Sequence, residues 1–270
     1  MMKTIELKGK NVLITGGASG IGKELARCFA AEGANLVLAG LDAEEETLAR
    51  WCAELETGFG VKAWPVTGDL SETDGPARVY EQVKACVSSV DILVNNAGMM
   101  AFGSFHEISA ELQEKVMAVN LRAYMLLMRY LVPEMVERGS GAVFNVSSVS
   151  AFVPTPRHAV YGATKAFVQS LSEAVDQELR QTGVHVFTLN PGYTDTPLLK
   201  GNNFPRKLKF YSFGGKSSPA DIARKGVSAF KKGKRVYIPE PHLWLLFFVF
   251  NRVTPRRIIN LISGQMVKGV

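Results

Sequence analysis

The stretch NVLITGGASGIG, Asn11 to Gly22, decides how this chain folds. Asn11–Thr15 is a short apolar run suited to a buried strand, and after Gly22 an amphipathic run continues to about Glu32. Gly16, Gly20 and Gly22 therefore stand between a strand and a helix. Missing side chains there let a ligand approach the backbone, and a helix N-terminus favours the pyrophosphate of a dinucleotide. The spacing is GxxxGxG rather than GxGxxG, and a turn that merely tightens the junction would use glycine as well.

The same alternation continues outward. Asn35–Ala39, Val61–Val66, Ile92–Asn95, Ala142–Val146, Val184–Leu189 and Arg235–Ile238 read as strands. Helical patterns separate them, over about 43–55, up to Val87, 109–137, 157–182 and 220–231. Apolar strands divided by helices predict an α/β fold, a single-domain Rossmann-type doubly wound parallel sheet of about seven strands. The expected division is 1–241 for the dinucleotide-binding catalytic domain, with a substrate loop at 193–216. An apolar and basic extension follows at 242–270, packing on the pocket, a partner subunit or a membrane surface. Asp69, after the third strand, is placed to accept from an adenine amine, and Asn95–Gly98 ends the fourth strand at the same sheet edge.

With 270 residues and 47% apolar content the chain can bury a substantial core. The opening MMKTIELKGK has no apolar run of the secretory kind. Cys28, Cys52 and Cys86 are odd in number and scattered, which argues against a disulfide framework or a metal site and fits a reducing, cytoplasmic setting. Charge is uneven: from Lys200 onward 15 Lys/Arg face only Asp221 and Glu240. That half suits an anionic partner, whether an acidic carrier protein, a phosphate-bearing thioester or a membrane surface; the plainer alternative is a solvated basic face. No reading helix is organised within it, so no nucleic-acid role is expected.

The chemistry points to Tyr161-Gly162-Ala163-Thr164-Lys165, within a helical pattern. Positions four apart share a helix face, so the Tyr161 hydroxyl and the Lys165 ammonium can enter one site. An adjacent ammonium favours a phenolate, which would poise Tyr161 for proton transfer to or from a substrate oxygen.

Together these residues resemble the short-chain dehydrogenase/reductase family over about residues 8–240. TGGASGIG (Thr15–Gly22), Asp69-Leu70, NNAG (Asn95–Gly98), Asn120, Ser148, YGATK (Tyr161–Lys165) and Asn190-Pro191-Gly192 occur in the family's order. The resemblance implies a catalytic set of Asn120, Ser148, Tyr161 and Lys165. Ser148 would polarise the substrate carbonyl, and Tyr161 would give or take the proton. Lys165 would bind the nicotinamide ribose and lower the Tyr161 pKa, while Asn120 would hold a water in a proton relay. It implies cofactor contacts at Gly16, Ser19, Gly20, Ile21, Gly22, Asp69, Leu70, Asn96, Ala97, Gly98, Tyr161 and Lys165, and at Pro191, Gly192, Thr194 and Thr196. A homodimer or homotetramer, formed through the helices around 109–137 and 157–182, is also implied.

The cofactor is expected to be NAD(P)(H). Where the family carries Asp for NAD, or a small residue and Arg for NADP, this chain has Gly40 and Leu41, and neither pattern is met. Asp42 and the run Glu44–Glu46 follow; a 2′-phosphate there would be poorly compensated, so the reading leans to NAD(H), with Asp42 reaching the ribose. Apolar residues after NNAG, between Ser148 and Tyr161, and after Gly192 suit a hydrophobic lipid, steroid-like or acyl substrate, anionic or carrier-linked in view of Lys200, Arg206, Lys207, Lys209 and Lys216. They include Met99, Met100, Phe102, Phe105, Val153, Pro154, Tyr193, Leu198, Leu199, Phe204, Phe210, Tyr211 and Phe213. His158 is expected at the surface or the pocket rim. Leu243–Phe250 is too short to span a bilayer, and Ile258, Ile259, Ile262 and Met266 share a face flanked by Arg252, Arg256, Arg257 and Lys268. These segments either make a peripheral contact with anionic lipid or pack over the pocket or another subunit. The function expected is an NAD(P)(H)-dependent oxidoreductase interconverting a secondary alcohol and a ketone by hydride transfer; the alternative is a non-catalytic dinucleotide-binding regulator.

Overall fold

A computed structural model describes residues 4–199 and 215–266. Seven parallel strands form one sheet in the order β3-β2-β1-β4-β5-β6-β7. They are β1 Asn11–Thr15, β2 Asn35–Gly40, β3 Ala63–Thr67, β4 Ile92–Asn95, β5 Gly141–Val146, β6 Val184–Leu189 and β7 Val236–Tyr237. Pro65 lies in β3, an edge strand, where its missing N–H leaves no ladder bond unmade on the open side. β3 starts two residues later than its apolar pattern suggests, and β7 is cut to two residues.

Strand residues alternate between two cores. Ile14, Leu38, Val94 and Phe144 face α1 (Gly20–Ala31), α2 (Glu45–Phe59) and α7 (Pro219–Lys231). Leu13, Val37, Leu93 and Val143 face α3 (Gly75–Cys86), α5 (Ala123–Glu137) and α6 (Ala159–Glu178). Both faces are covered, which is why the strands read as continuous apolar runs. β1 pairs with both β2 and β4, so the chain reverses its direction of winding there. The crevice at that switch point is where doubly wound sheets bind ligands. α4 (Ala110–Met117) runs into α5 through a π-helical turn at Ala118–Arg122 that contains Asn120.

Beyond β7 come short helical segments at Pro241–Leu243, Trp244–Phe250 and Asn251–Val253, then a helix at Arg256–Met266. Leu243 and Phe247 pack with Val149 and Ile238, and Asn251 Nδ2 donates to the Phe152 carbonyl at 3.0 Å. Among the described residues no helix is long and apolar enough to cross a membrane. Cys28, Cys52 and Cys86 are free thiols.

Candidate active site

The glycine turn is built for close approach. Gly16 and Gly20 have φ of 66° and 55°, the left-handed region that other residues avoid. Thr15 Oγ1 accepts from the backbone N–H groups of Asn96 (3.0 Å) and Ala97 (3.1 Å), while Asn96 Nδ2 donates to the Thr15 and Gly16 carbonyls. These bonds lock the end of β1 to the end of β4. Gly22 belongs to this lock and not to the ligand-facing wall: a Cβ there would be driven into the Gly16 carbonyl and Asn96 Nδ2.

A cavity of about 550 Å³ runs along the strand ends. Gly16, Ser19, Gly20 and Ile21 line it with Asp69, Leu70, Asn96 and Ala97, and so do Ser148, Tyr161, Lys165, Pro191, Gly192 and Thr194; Thr196 of the lining lies against Gly20, and Gly98 against Lys165. Asp42 is exposed and lies outside this wall. Glu44 stands there instead. Its Oε2 accepts from Leu41 N at 3.0 Å and would lie only 2.8 Å from a Cβ on residue 40. Gly40 has no side chain, and the carboxylate of Glu44 uses the space.

Strand β5 delivers Ser147 and Ser148 against α6. Ser147 Oγ donates to the Lys165 carbonyl at 2.8 Å, pinning the helix to the strand. Ser148 shares a hydrogen bond with the Tyr161 hydroxyl, and its Oγ accepts from Ser150 N at 3.1 Å. Lys165 Nζ donates to the Val146 carbonyl at 2.9 Å and lies 5.7 Å from the centre of the Tyr161 ring. Burial dominates both titrations: the phenol of Tyr161 is pushed up to about 12, the Ser148 bond working the other way, and Lys165 is pulled down to about 7. The Val146 carbonyl engages the ammonium, and burial disfavours the charged form of both groups.

Asn120 is fully buried and does not line the cavity. Its amide exchanges two 2.8 Å bonds with the backbone of Met99 and donates to Thr164 Oγ1 at 3.2 Å. It thereby ties the loop after β4 to α6, from a helical turn whose widened geometry is frequent at functional sites. His158 is buried and lines the cavity, in keeping with the pocket alternative; it stacks on Phe102 with ring centres 6.0 Å apart, and burial pulls its imidazole down to about 4.

Met99, Met100, Val153, Pro154, Tyr193, Leu198 and Leu199 line the cavity as expected, whereas Phe102 and Phe105 do not. Phe204, Phe210, Tyr211, Phe213, Lys200, Arg206, Lys207, Lys209 and Lys268 lie outside the described residues, as do the side chains of Arg252 and Met266. The C-terminal segments close the far side with Leu246, Phe247, Phe250, Asn251, Ile259 and Ile262. Glu240, buried at the end of β7, accepts from Ser217 Oγ at 2.8 Å and from Gly192 N at 3.4 Å, bracing the Pro191-Gly192 loop. Sequence reading missed Glu240, did not single out Glu44 within its acidic run, and gave Thr15, quoted with the glycines, no task of its own.

A glycine-lined groove at a sheet switch point, leading to a Ser/Tyr/Lys cluster, fits a nicotinamide dinucleotide. The family model described as short chain dehydrogenase matches residues 10–206, and the chain belongs to that family. It is 40% identical over 195 residues to a short chain dehydrogenase of Pseudocercospora fijiensis, a match covering 72% of this chain and 62% of that relative's length. Its structure resembles a short-chain dehydrogenase from Sphingobium yanoikuyae in complex with NADPH, at 29% identity and TM-score 0.81, covering 96% of this chain and 95% of that one. It also resembles a 3-ketoacyl-(acyl-carrier-protein) reductase from Brucella melitensis complexed with NADH, at 30% identity and TM-score 0.75, covering 86% and 97%. The chain is thus an NAD(P)-binding oxidoreductase of the short chain dehydrogenase family.

Proposed function

We propose that this protein interconverts a secondary alcohol and a ketone on a hydrophobic substrate, with NAD(H) preferred and Tyr161 as the acid/base. The observation carrying the proposal is that Ser148 and Tyr161 stand hydrogen-bonded where the glycine-lined groove meets an apolar chamber. The dinucleotide supplies or accepts the hydride when bound. Ser148 Oγ and the Tyr161 hydroxyl hold the substrate oxygen, and the phenol donates its proton in reduction or takes one in oxidation. Lys165 orients the nicotinamide ribose, and its charge is there to favour phenolate when it is protonated. Asn120 acts as a positioning residue through Met99 and Thr164.

Of the two solved relatives described above, one holds NADPH and the other NADH, so the cofactor preference rests on Glu44. Its carboxylate in the groove wall would repel a 2′-phosphate. Chamber residues such as Met100, Val153, Phe247 and Phe250 favour a lipid-like or acyl substrate, free or carrier-linked. Exposed Met117, Met125 and Val136 on α4 and α5 support a homo-oligomer built through these helices.

Nicotinamide fluorescence tests the reading. NADH should bind at least about tenfold more tightly than NADPH, and Glu44→Gln should shrink that ratio toward unity. In a screen of hydrophobic ketones and secondary alcohols, Tyr161→Phe should keep NADH binding while turnover falls by about a thousandfold. Tight NADH binding with no turnover of any ketone or alcohol would point instead to a regulatory dinucleotide sensor.

A further inference from the structure

The C-terminal segments have two sides. One closes the substrate chamber through Leu246, Phe247 and Ile259. The other turns apolar side chains outward: Leu245 is 60% exposed, Val253 78% and Leu261 64%, with Trp244 and Ile258 close to half exposed. On the helix Arg256–Met266, Ile258, Leu261 and Ile262 follow the three- and four-residue spacing of one face, yet among its described side chains the fold buries only Ile259 and Ser263. Arg256 and Arg257 are exposed at its start, and no Asp or Glu occurs anywhere from Pro241 to Val270. Phe250 and Ile262 belong to both sides, since they line the cavity and are 46% and 40% exposed. The mouth of the chamber therefore opens on this apolar, cation-bordered face.

We propose that this face docks on an anionic membrane surface and that a bilayer-dissolved alcohol or ketone enters the chamber past Phe250 and Ile262. An apolar array bordered by cations without acids matches both parts of such a surface, the acyl layer and the charged headgroups. An acidic carrier protein would satisfy the arginines but leave the exposed leucines, valine and isoleucine in water. The inference rests on the hydrophobic-substrate reading above and adds the source of that substrate.

The test is co-sedimentation of the full-length protein with vesicles of phosphatidylcholine alone, or of equal parts phosphatidylcholine and phosphatidylglycerol. Tryptophan emission is followed in parallel against a Trp244→Phe control, since Trp51 and Trp64 also emit. Partition should be about tenfold or more greater on the anionic vesicles, weaken with added salt, and shift Trp244 emission to the blue. A Leu245→Ser/Val253→Ser/Leu261→Ser variant should lose it while NADH binding and turnover of a small water-soluble ketone stay unchanged, since none of the three lines the cavity. Arg256→Gln/Arg257→Gln should remove the preference for anionic lipid. Equal partition of the parent and the triple-serine variant, or equal partition into neutral and anionic vesicles, overturns the proposal. So does a dimer in light scattering that the triple variant disperses, with no vesicle binding by the parent, because the face then meets a second copy. NADH titration on the same samples separates the cases: vesicle failure with NADH bound and ketone turned over sinks only the docking, whereas vesicle binding without turnover sinks the catalytic reading.

Discussion

Lys165 is 3% exposed and its ammonium is held near 7 against an ordinary 10.5. Between those values the unfolded chain carries a proton that the folded protein has shed, so this group makes stability rise with pH across that window. The cost of the buried charge is complete below about pH 7 and gone above about 10.5. Lys165→Met should therefore stabilise the fold most near pH 6, by a few kcal/mol at most, with the gain vanishing toward pH 10.5. Urea unfolding of both proteins across that range checks it, and the variant's turnover should collapse even where its stability improves. His158 works in the same sense at lower pH: kept neutral down to about 4, it contributes fully above its usual 6.5, and that contribution is lost as pH falls from 6.5 through 4. Replacing it with Phe, which can still stack on Phe102, should flatten the acid-side loss of stability in the same measurement.

The strand–turn–helix unit β1–α1 depends on Gly22 more tightly than on the two glycines that face the groove. Gly22→Ala would push a methyl group into the Gly16 carbonyl and break the lock with Asn96, so a loss of about 2 to 4 kcal/mol and of NADH binding is expected by thermal melting and fluorescence. This unit was readable because its signals are local: an apolar run, then glycines, then a helical period. The Tyr161–Lys165 pair was readable for the same reason, since four residues on a helix is one face. Glu44 was not, because an acid in an acidic run looks like a solvated helix start, and only the empty space over Gly40 brings it to the groove. The contacts of Asn120 were not readable either, since nothing near it in sequence announces that Met99, across a 21-residue gap, takes up its amide.

Beneath the site, Phe144 holds the molecule together. Its ring meets Phe29, Phe187 and Phe230 at centre distances of 6.2, 4.7 and 5.4 Å, joining β5 to β6, α1 and α7. Phe144→Ala should cost about 3 to 5 kcal/mol, with denaturant midpoint as the readout, and should loosen the strand that ends in Ser148. The parallel sheet was legible from the alternation of apolar runs and helical patterns, while for the far wall of the chamber the sequence left the pocket, a partner subunit and a membrane surface open. The wall depends on contacts between segments about a hundred residues apart, such as Asn251 with Phe152, which no local pattern encodes.

That far wall comes from residues 241–266, which follow every strand of the sheet and every member of the Ser148/Tyr161/Lys165 cluster. Chain order thus separates the surface that shapes one side of the chamber from the groups at its reactive end. Such an arrangement makes selectivity replaceable: exchanging the segment beyond Glu240 would reshape the clientele of the enzyme while leaving the Ser148/Tyr161/Lys165 cluster in place. Laboratory redesign of its preferences should begin there.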